Sequence, residues 1–179
     1  MDSIFTEHRK WSRSEVAELL VSRNALTELN LEQALQIVRL LRPLGVAAGT
    51  VLIEEGVTST GYMALVLQGE AVVANTAGSG DEPVFLSVLG AGSVFGELGV
   101  LDGKPRSATV TAVTDMDIAV LDRPALARLI DTVPSVACAL FGAIMVRVAD
   151  RLRATNQRVQ ALSAENASLK QELAALRVK

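Results

Sequence analysis

Two charged side chains, Glu97 and Arg106, lie within one glycine-rich stretch, Phe95-Gly96-Glu97-Leu98-Gly99-Val100-Leu101-Asp102-Gly103-Lys104-Pro105-Arg106-Ser107-Ala108-Thr109-Val110. Arg106 follows a proline-stiffened loop and precedes small residues that open a strand. An arginine fixed there presents a planar, permanently charged fork that suits phosphate oxygens. Gly96 and Gly99 let the backbone approach a ligand with no Cβ in the way. The apolar turn Glu97–Leu101 directs unpaired backbone N–H groups forward, which favours an anion. Glu97 supplies a carboxylate able to accept a hydrogen bond from a ribose hydroxyl. The chemistry is that of a phosphate beside a sugar. The other reading is an ion pair of Glu97 with Arg106 that staples the loop, for which neither glycine is needed.

The elements that must position this stretch are of three kinds. Residues 1–43 read as helical. Ser12 with Glu15 forms a capping box for a helix to about Val21, and Asn30 with Gln33 caps a second, Leu31–Leu41, which Pro43 ends. Leu31, Leu35, Val38 and Leu41 share one face, so the second helix packs on the next part of the chain. Trp11, near Arg9, Lys10 and Arg13, either docks on its own domain or belongs to a partner-binding arm. From Leu44 onward, short β-rich runs alternate with glycines: Val51–Ile53, Tyr62–Leu67, Ala71–Ala74, Val84–Leu89, Thr109–Val113 and Met116–Leu121. Gly69 predicts a hairpin between two of them, and Ala77-Gly78-Ser79-Gly80-Asp81 a longer exposed turn. Strands this short and this closely spaced predict a small β-roll or barrel. Pro124 opens a short helix, Ala125–Ile130. Pro134 starts a long one, with neither Gly nor Pro between Gly142 and Lys179.

Along that last helix, apolar residues recur in alternating steps of four and three: Phe141, Met145, Val148, Leu152, Thr155, Val159, Leu162, Asn166, Leu169, Leu173 and Leu176. A sustained 3.5-residue period specifies a left-handed coiled coil. With Met145 at a and Val148 at d, only Thr155 and Asn166 interrupt the seam. Asn166 falls at an a position, where one buried Asn fixes register and favours a parallel dimer. Glu165 faces Lys170 of a second copy, and Glu172 faces Arg177. The rod from Met145 to Leu176 spans roughly 48 Å at 1.5 Å per residue. Cys138 continues the seam one heptad upstream and is expected to be a small buried apolar residue.

The stretch Phe95–Val110 resembles the phosphate-binding cassette of the cyclic nucleotide-binding domain family, whose pattern is Phe-Gly-Glu-Leu, a spacer, then Pro-Arg-small-Ala-Thr-Val. The succession Gly49, Gly56, Tyr62, Gly69-Glu70, Gly92 and Phe95-Gly96-Glu97 extends the resemblance over about Leu44 to Leu121. It implies that Glu97 holds the ribose hydroxyl, Arg106 the cyclic phosphate and Ser107 a second phosphate contact. Phe95, Gly96, Leu98, Gly99, Pro105 and Ala108 complete the cassette. The run Arg151–Val159 is similar to the dimerising helix of bacterial catabolite activator proteins. There a Thr touches the adenine of cAMP from its own subunit and a Ser reaches it from the partner. Thr155 matches the Thr, and Asn156 stands in place of the Ser. Thr155 also reads as a small polar residue tolerated at the seam. Because Asn both donates and accepts, Asn156 suits adenine or a guanine edge. The ligand implied is cAMP, with cGMP as the alternative.

Composition removes other classes. A net charge of −3 with no run of like charge argues against a nucleic-acid surface. One cysteine excludes a disulfide framework, a thiolate metal site and a Cys-ligated cluster, and His8 as the only histidine excludes His catalysis and a multi-His metal site. No nucleophile stands with a base and no acids are paired, so an enzyme is not expected. Catabolite activator proteins end in a helix-turn-helix. Here the coiled coil continues past Val159 to Lys179, leaving no room for a recognition helix. Met1–Lys10 lacks an apolar signal core and no apolar run reaches membrane-spanning length, so a soluble cytoplasmic protein is expected. The expected fold is α+β: helices over 1–43, a jelly-roll-like cyclic nucleotide-binding β-roll over 44–133, and a helix over 134–179 forming a parallel dimeric coiled coil. The expected function is a dimeric cyclic-nucleotide receptor, without bound metal, DNA or membrane. It regulates an unidentified protein partner through ligand-linked movement of the C-terminal helices. The alternative is a constitutive coiled-coil scaffold with a non-binding fold.

Overall fold

In the computed structural model, which describes residues 10–58, 61–75 and 84–177, local capping chemistry opens both N-terminal helices. Ser12 Oγ accepts from the Glu15 N–H at 3.2 Å while Glu15 accepts from the Ser12 N–H at 2.8 Å, starting α1 (Arg13–Leu20). Asn30 and Gln33 make the same exchange at 2.9 and 3.0 Å, starting α2 (Leu31–Val38). The second helix stops at Val38, short of the expected Leu41. The chain turns through Leu40 and Leu41, whose N–H groups donate to Ile37 O and Val38 O. It then enters an unpredicted strand, β1 (Arg42–Val46). Pro43 is therefore a strand residue and not the end of a helix. A proline is tolerated there because β1 lies at a sheet edge, where one side of the backbone needs no ladder partner.

The remaining strands are β2 (Val51–Ile53), β3 (Tyr62–Gln68), β4 (Ala71–Asn75), β5 (Val84–Leu89), β6 (Val94–Phe95), β7 (Thr109–Ala112) and β8 (Met116–Asp122). All six predicted strands form; β1 and β6 are additional to them. They build two antiparallel sheets, β1–β8–β3–β6 and β2–β7–β4–β5. β3 and β4 thus belong to different sheets, and the hairpin expected at Gly69 does not exist. Both sides of β3 are already taken by β8 and β6. Gly69, at φ +86°, instead turns the chain from one sheet to the other. The segment between β7 and β8 crosses back beside it: the Val113 N–H donates to Glu70 O at 2.8 Å and the Glu70 N–H to Thr114 Oγ1 at 2.9 Å. The turn expected at residues 77–81 lies outside the described residues.

The sheets bury a common core that includes Val46, Ile53, Val66, Val73, Phe95, Val110, Met116, Ile118 and Val120, with small Ala64, Ala71, Ala108 and Ala112 between them. Burying a Val, Ile or Phe side chain of this kind stabilises by roughly 1.5–3 kcal/mol, so aliphatics suffice where aromatics form only 3% of the chain. Between β6 and β7 runs the short helix α3 (Glu97–Asp102). After β8, Asp122 caps α4 (Arg123–Thr132) by accepting from the Ala125 N–H at 2.8 Å. One 44-residue helix, α5 (Pro134–Arg177), completes the described chain.

The chain forms two compact units, the first ending at Ala143 and the second starting at Ile144. Within the first, α5 buries Val136, Ala137, Leu140 and Ala143. Cys138 is exposed, contrary to the expectation of burial, because these inward positions leave 138 on the opposite side of the helix. Among the described residues, no helix is long and apolar enough to cross a membrane.

Trp11 docks on its own domain: its Nε1–H donates to Asp117 Oδ2, on β8, at 2.9 Å. Asp117 is buried, and hydrogen bonds to charged groups contribute about 1.5–3 kcal/mol. Trp11→Phe, which keeps most of the ring and removes the donor, is expected to lower unfolding stability by roughly 1–2 kcal/mol in urea denaturation. An unchanged midpoint would mean that the indole contributes no net stability through this bond.

Candidate functional site

The site is built on the link from β6 to β7. Phe95 is buried in the core and anchors the end of β6. Gly96 comes next at φ +76°, the left-handed region, and starts α3 with no side-chain cap. A Cβ there would stand 2.6 Å from Tyr62 O, so position 96 is restricted by space as well as by conformation. α3 is bounded at its other end by Gly103, also left-handed. Glu97, in its first turn, is 2% exposed. Leu98 is exposed; Gly99 and Val100 are buried.

Arg106 is 7% exposed and is held from several sides. Its N–H donates to Val57 O at 3.2 Å, and its carbonyl accepts from the Gly56 N–H at 2.9 Å, tying the loop to the end of β2. Its guanidinium Nη1 donates to Gly96 O at 3.0 Å and its Nη2 to Tyr62 O at 3.2 Å. The guanidinium carbon stands 5.2 Å from the centroid of the Tyr62 ring, within cation–π range. Gly99 provides the space: a Cβ there would lie 2.0 Å from Arg106 Nη1. A side chain at 99 would therefore displace the guanidinium from this seat.

The structure therefore brings Phe95, Gly96, Glu97, Leu98, Gly99 and Arg106 together through one helix and one loop. Pro105 and Ser107 flank Arg106 and are exposed, and Ala108 is buried in the core. Thr155 and Asn156 belong to the second unit, where both are exposed; Thr155 Oγ1 donates to Arg151 O at 2.8 Å within α5. Among the described residues, no group of three or more His, Cys, Asp or Glu is placed to hold a metal ion.

Two further residues have a role at the site that the sequence does not assign them. Tyr62 supplies a carbonyl and a ring face to Arg106, while its hydroxyl donates to Leu52 O. Arg123, the first residue of α4, donates from Nε to Val100 O at 3.2 Å and from Nη2 to Gly99 O at 3.4 Å. Both act on or through main-chain carbonyls, which every residue type carries. A single sequence holds no signal for such pairings beyond the arginine itself.

Two four-stranded sheets, enclosing an apolar core and carrying a glycine-bounded helix beside a buried arginine, define a β-roll built around a cassette. The chain belongs to the cyclic nucleotide-binding domain family, whose pattern matches residues 44–133. Over 84 residues, 47% of this chain and 21% of the relative, it is 40% identical to a cyclic nucleotide-gated potassium channel of Rhizobium etli. It is 28% identical over 119 residues to a CRP-like cAMP-activated global transcriptional regulator of Mycobacterium tuberculosis, covering 66% of this chain and 50% of that one. The structure of the Thermus thermophilus catabolite activator protein superposes with a TM-score of 0.65 at 27% identity, covering 81% of this chain and 63% of that one. The chain spans half or less of the length of these curated relatives.

Burial pushes the ionisation of the Tyr62 hydroxyl above its ordinary value of 10.0, and the nearby Arg106 cation pulls it partly back. Tyr62 is the only tyrosine, so absorbance near the phenolate band tracks it alone. Replacing Arg106 with Ala removes the lowering influence, and the alkaline midpoint of Tyr62 is expected to rise further. A midpoint that stays or falls would show that the guanidinium does not act on the ring.

Proposed function

We propose that this chain is a dimeric, cytoplasmic cyclic-nucleotide receptor, without catalytic activity of its own, that regulates a protein partner. The observation that carries the proposal is Arg106: a buried guanidinium, fixed by two backbone carbonyls beside Glu97 and the glycine-bounded start of α3. A guanidinium fork held rigid away from bulk water attracts a planar pair of anionic oxygens strongly, and a cyclic phosphate offers such a pair. In this reading Arg106 takes the phosphate, Glu97 accepts from the ribose 2′-hydroxyl, and Ser107 adds a phosphate contact. Resemblance, rather than geometry, assigns the base to Thr155 and Asn156. cAMP is the favoured ligand, since the mycobacterial relative is described as cAMP-activated; cGMP is the alternative.

The working division is a helical segment over 1–43, the ligand-binding roll over 44–133 and a dimerising helix over 134–179. Support for the dimer comes from the seam of α5. Leu152, Val159, Leu162, Leu169, Leu173 and Leu176 are each more than half exposed on a single copy, and they repeat at the coiled-coil period with Asn166 at an a position. A second copy is the partner that matches such a seam in register along its whole length. Ligand-linked movement of these helices would carry the signal, which requires the ligand to bind the two helix arrangements with different affinity.

Isothermal titration of cAMP and cGMP into the protein, beside Arg106→Ala, tests the receptor. The expected result is micromolar or tighter binding that Arg106→Ala weakens by at least about 30-fold, corresponding to roughly 2 kcal/mol or more for a buried charge pair that loses one partner. Ligand at 100 times its dissociation constant is expected to add about 2.7 kcal/mol of stability. Absence of binding by either nucleotide would leave the coiled-coil scaffold as the better reading. The dimer has its own test. Sedimentation equilibrium is expected to give a dimer, Leu162→Asp a monomer, and Asn166→Leu a more stable assembly with loss of the single two-stranded state. A wild-type monomer at micromolar concentration would refute the coiled coil.

A further inference from the structure

α3 is six residues long and carries Gly99 near its centre. So short a helix has few intrahelical hydrogen bonds, and its last carbonyls, from Val100 on, need partners from elsewhere. Arg123 donates to Val100 O, one of these, and also to Gly99 O one residue earlier. A cation at this end of a helix also complements its dipole. The guanidinium sits in a seat shaped by glycines. A Cβ at Gly103 would stand 2.4 Å from Arg123 Nη2, and one at Gly61 would stand 2.9 Å from Nε and 2.5 Å from Gly99 O.

Gly99 thereby lies between two arginines. Arg106 Nη1 occupies the place a Cβ would take on its Cα, and its carbonyl accepts from Arg123. Arg106 in turn is anchored to the opposite end of the same short helix through Gly96 O. The position of the Arg106 fork therefore depends on where the Gly99 peptide stands, and Arg123 fixes that peptide from the far side.

We infer that Arg123 is a positioning residue for anion binding: it touches no ligand, but sets the affinity of Arg106 by clamping the Gly99 peptide. This rests on the receptor reading above, with Arg106 as the phosphate-binding group. The clamp needs two donors in a fixed fork, which lysine lacks, so charge alone does not replace it.

The test is titration of cAMP and cGMP into wild-type protein, Arg123→Ala, Arg123→Lys and Gly103→Ala, with the arginine Nε–H signals and the Gly99 amide monitored by NMR before ligand is added. Gly103→Ala keeps the arginine but disturbs its seat, and it stands in if Arg123→Ala does not fold. The expected result is a tenfold or greater loss of affinity in Arg123→Ala, partial recovery in Arg123→Lys, and a loss in Gly103→Ala. In each variant the Arg106 Nε–H and Gly99 amide signals should move in the absence of ligand. A purely stabilising role would lower the melting temperature and leave those signals and the affinity in place, which overturns the inference. Loss of affinity with an unmoved Arg106 signal also overturns it. Failure of wild-type protein to bind either nucleotide sinks the receptor reading and this inference together. Normal wild-type binding with variants within twofold sinks this inference alone.

Discussion

The rest of the structure depends on keeping one guanidinium out of water without leaving it unsatisfied. A buried charge is tolerated only where its hydrogen-bond donors meet acceptors, and Arg106 meets two main-chain carbonyls and an aromatic face. Each partner comes from a different part of the chain. Tyr62 O lies at the start of β3, Gly96 O at the start of α3, and the backbone of Arg106 itself is tied to residues 56 and 57 after β2. The arginine can be fixed only if both sheets are assembled in register. The β-roll is thus the means by which residues distant in sequence are brought to one side chain, and its aliphatic core supplies the free energy that holds them there.

The same requirement explains the glycines. At 99 the reason is the Arg106 guanidinium, which occupies the place where a Cβ would be, and at 96 it is the Tyr62 carbonyl together with a left-handed backbone. A glycine-rich sequence around a charged pair reads naturally as a loop able to approach a ligand. In the folded chain the first thing these glycines admit is the protein's own arginine. Arg106, in the loop after α3, is thereby seated against bare backbone at Gly99.

What can be read from the sequence is what is encoded locally. The two capping boxes, at Ser12 with Glu15 and Asn30 with Gln33, form as expected because their partners are three residues apart. Six strands are legible from β-branched runs, as is the long helix from the absence of Gly and Pro. The failures are non-local. β1 is hidden because Pro43 argues against a strand until the pairing shows that it lies on an edge. β6 is hidden because two residues cannot display a period. Gly69-Glu70 has the look of a hairpin turn, and only the pairing of β3 with β8 and β6 sends β4 into the other sheet. At the site, Glu97 and Arg106 are legible from side-chain type, and the resemblance of the cassette to a known family is sound. The roles of Tyr62 and Arg123 at the site are not legible, because one contributes largely through a carbonyl and the other binds carbonyls.

The long helix poses a separate problem of burial. In the first unit α5 covers Val136, Ala137, Leu140 and Ala143, an ordinary amphipathic contact. Beyond Ile144 its apolar residues change spacing to an average of about 3.5, and the leucines of the seam are more than half exposed on a single copy. A straight α-helix repeats every 3.6 residues, so a stripe meant for one flat surface would drift around the helix by about 20° per heptad relative to this one. Successive heptads of fixed phase are what a supercoiled partner demands and what a globular surface does not. The interruption at Asn166 has the same logic: a polar residue inside the seam weakens association, and its compensation is to exclude other registers and higher oligomers. A lone helix gains nothing from that exchange, whereas in the two-stranded assembly proposed above the polar break at Asn166 would trade strength of association for a single register and oligomer size.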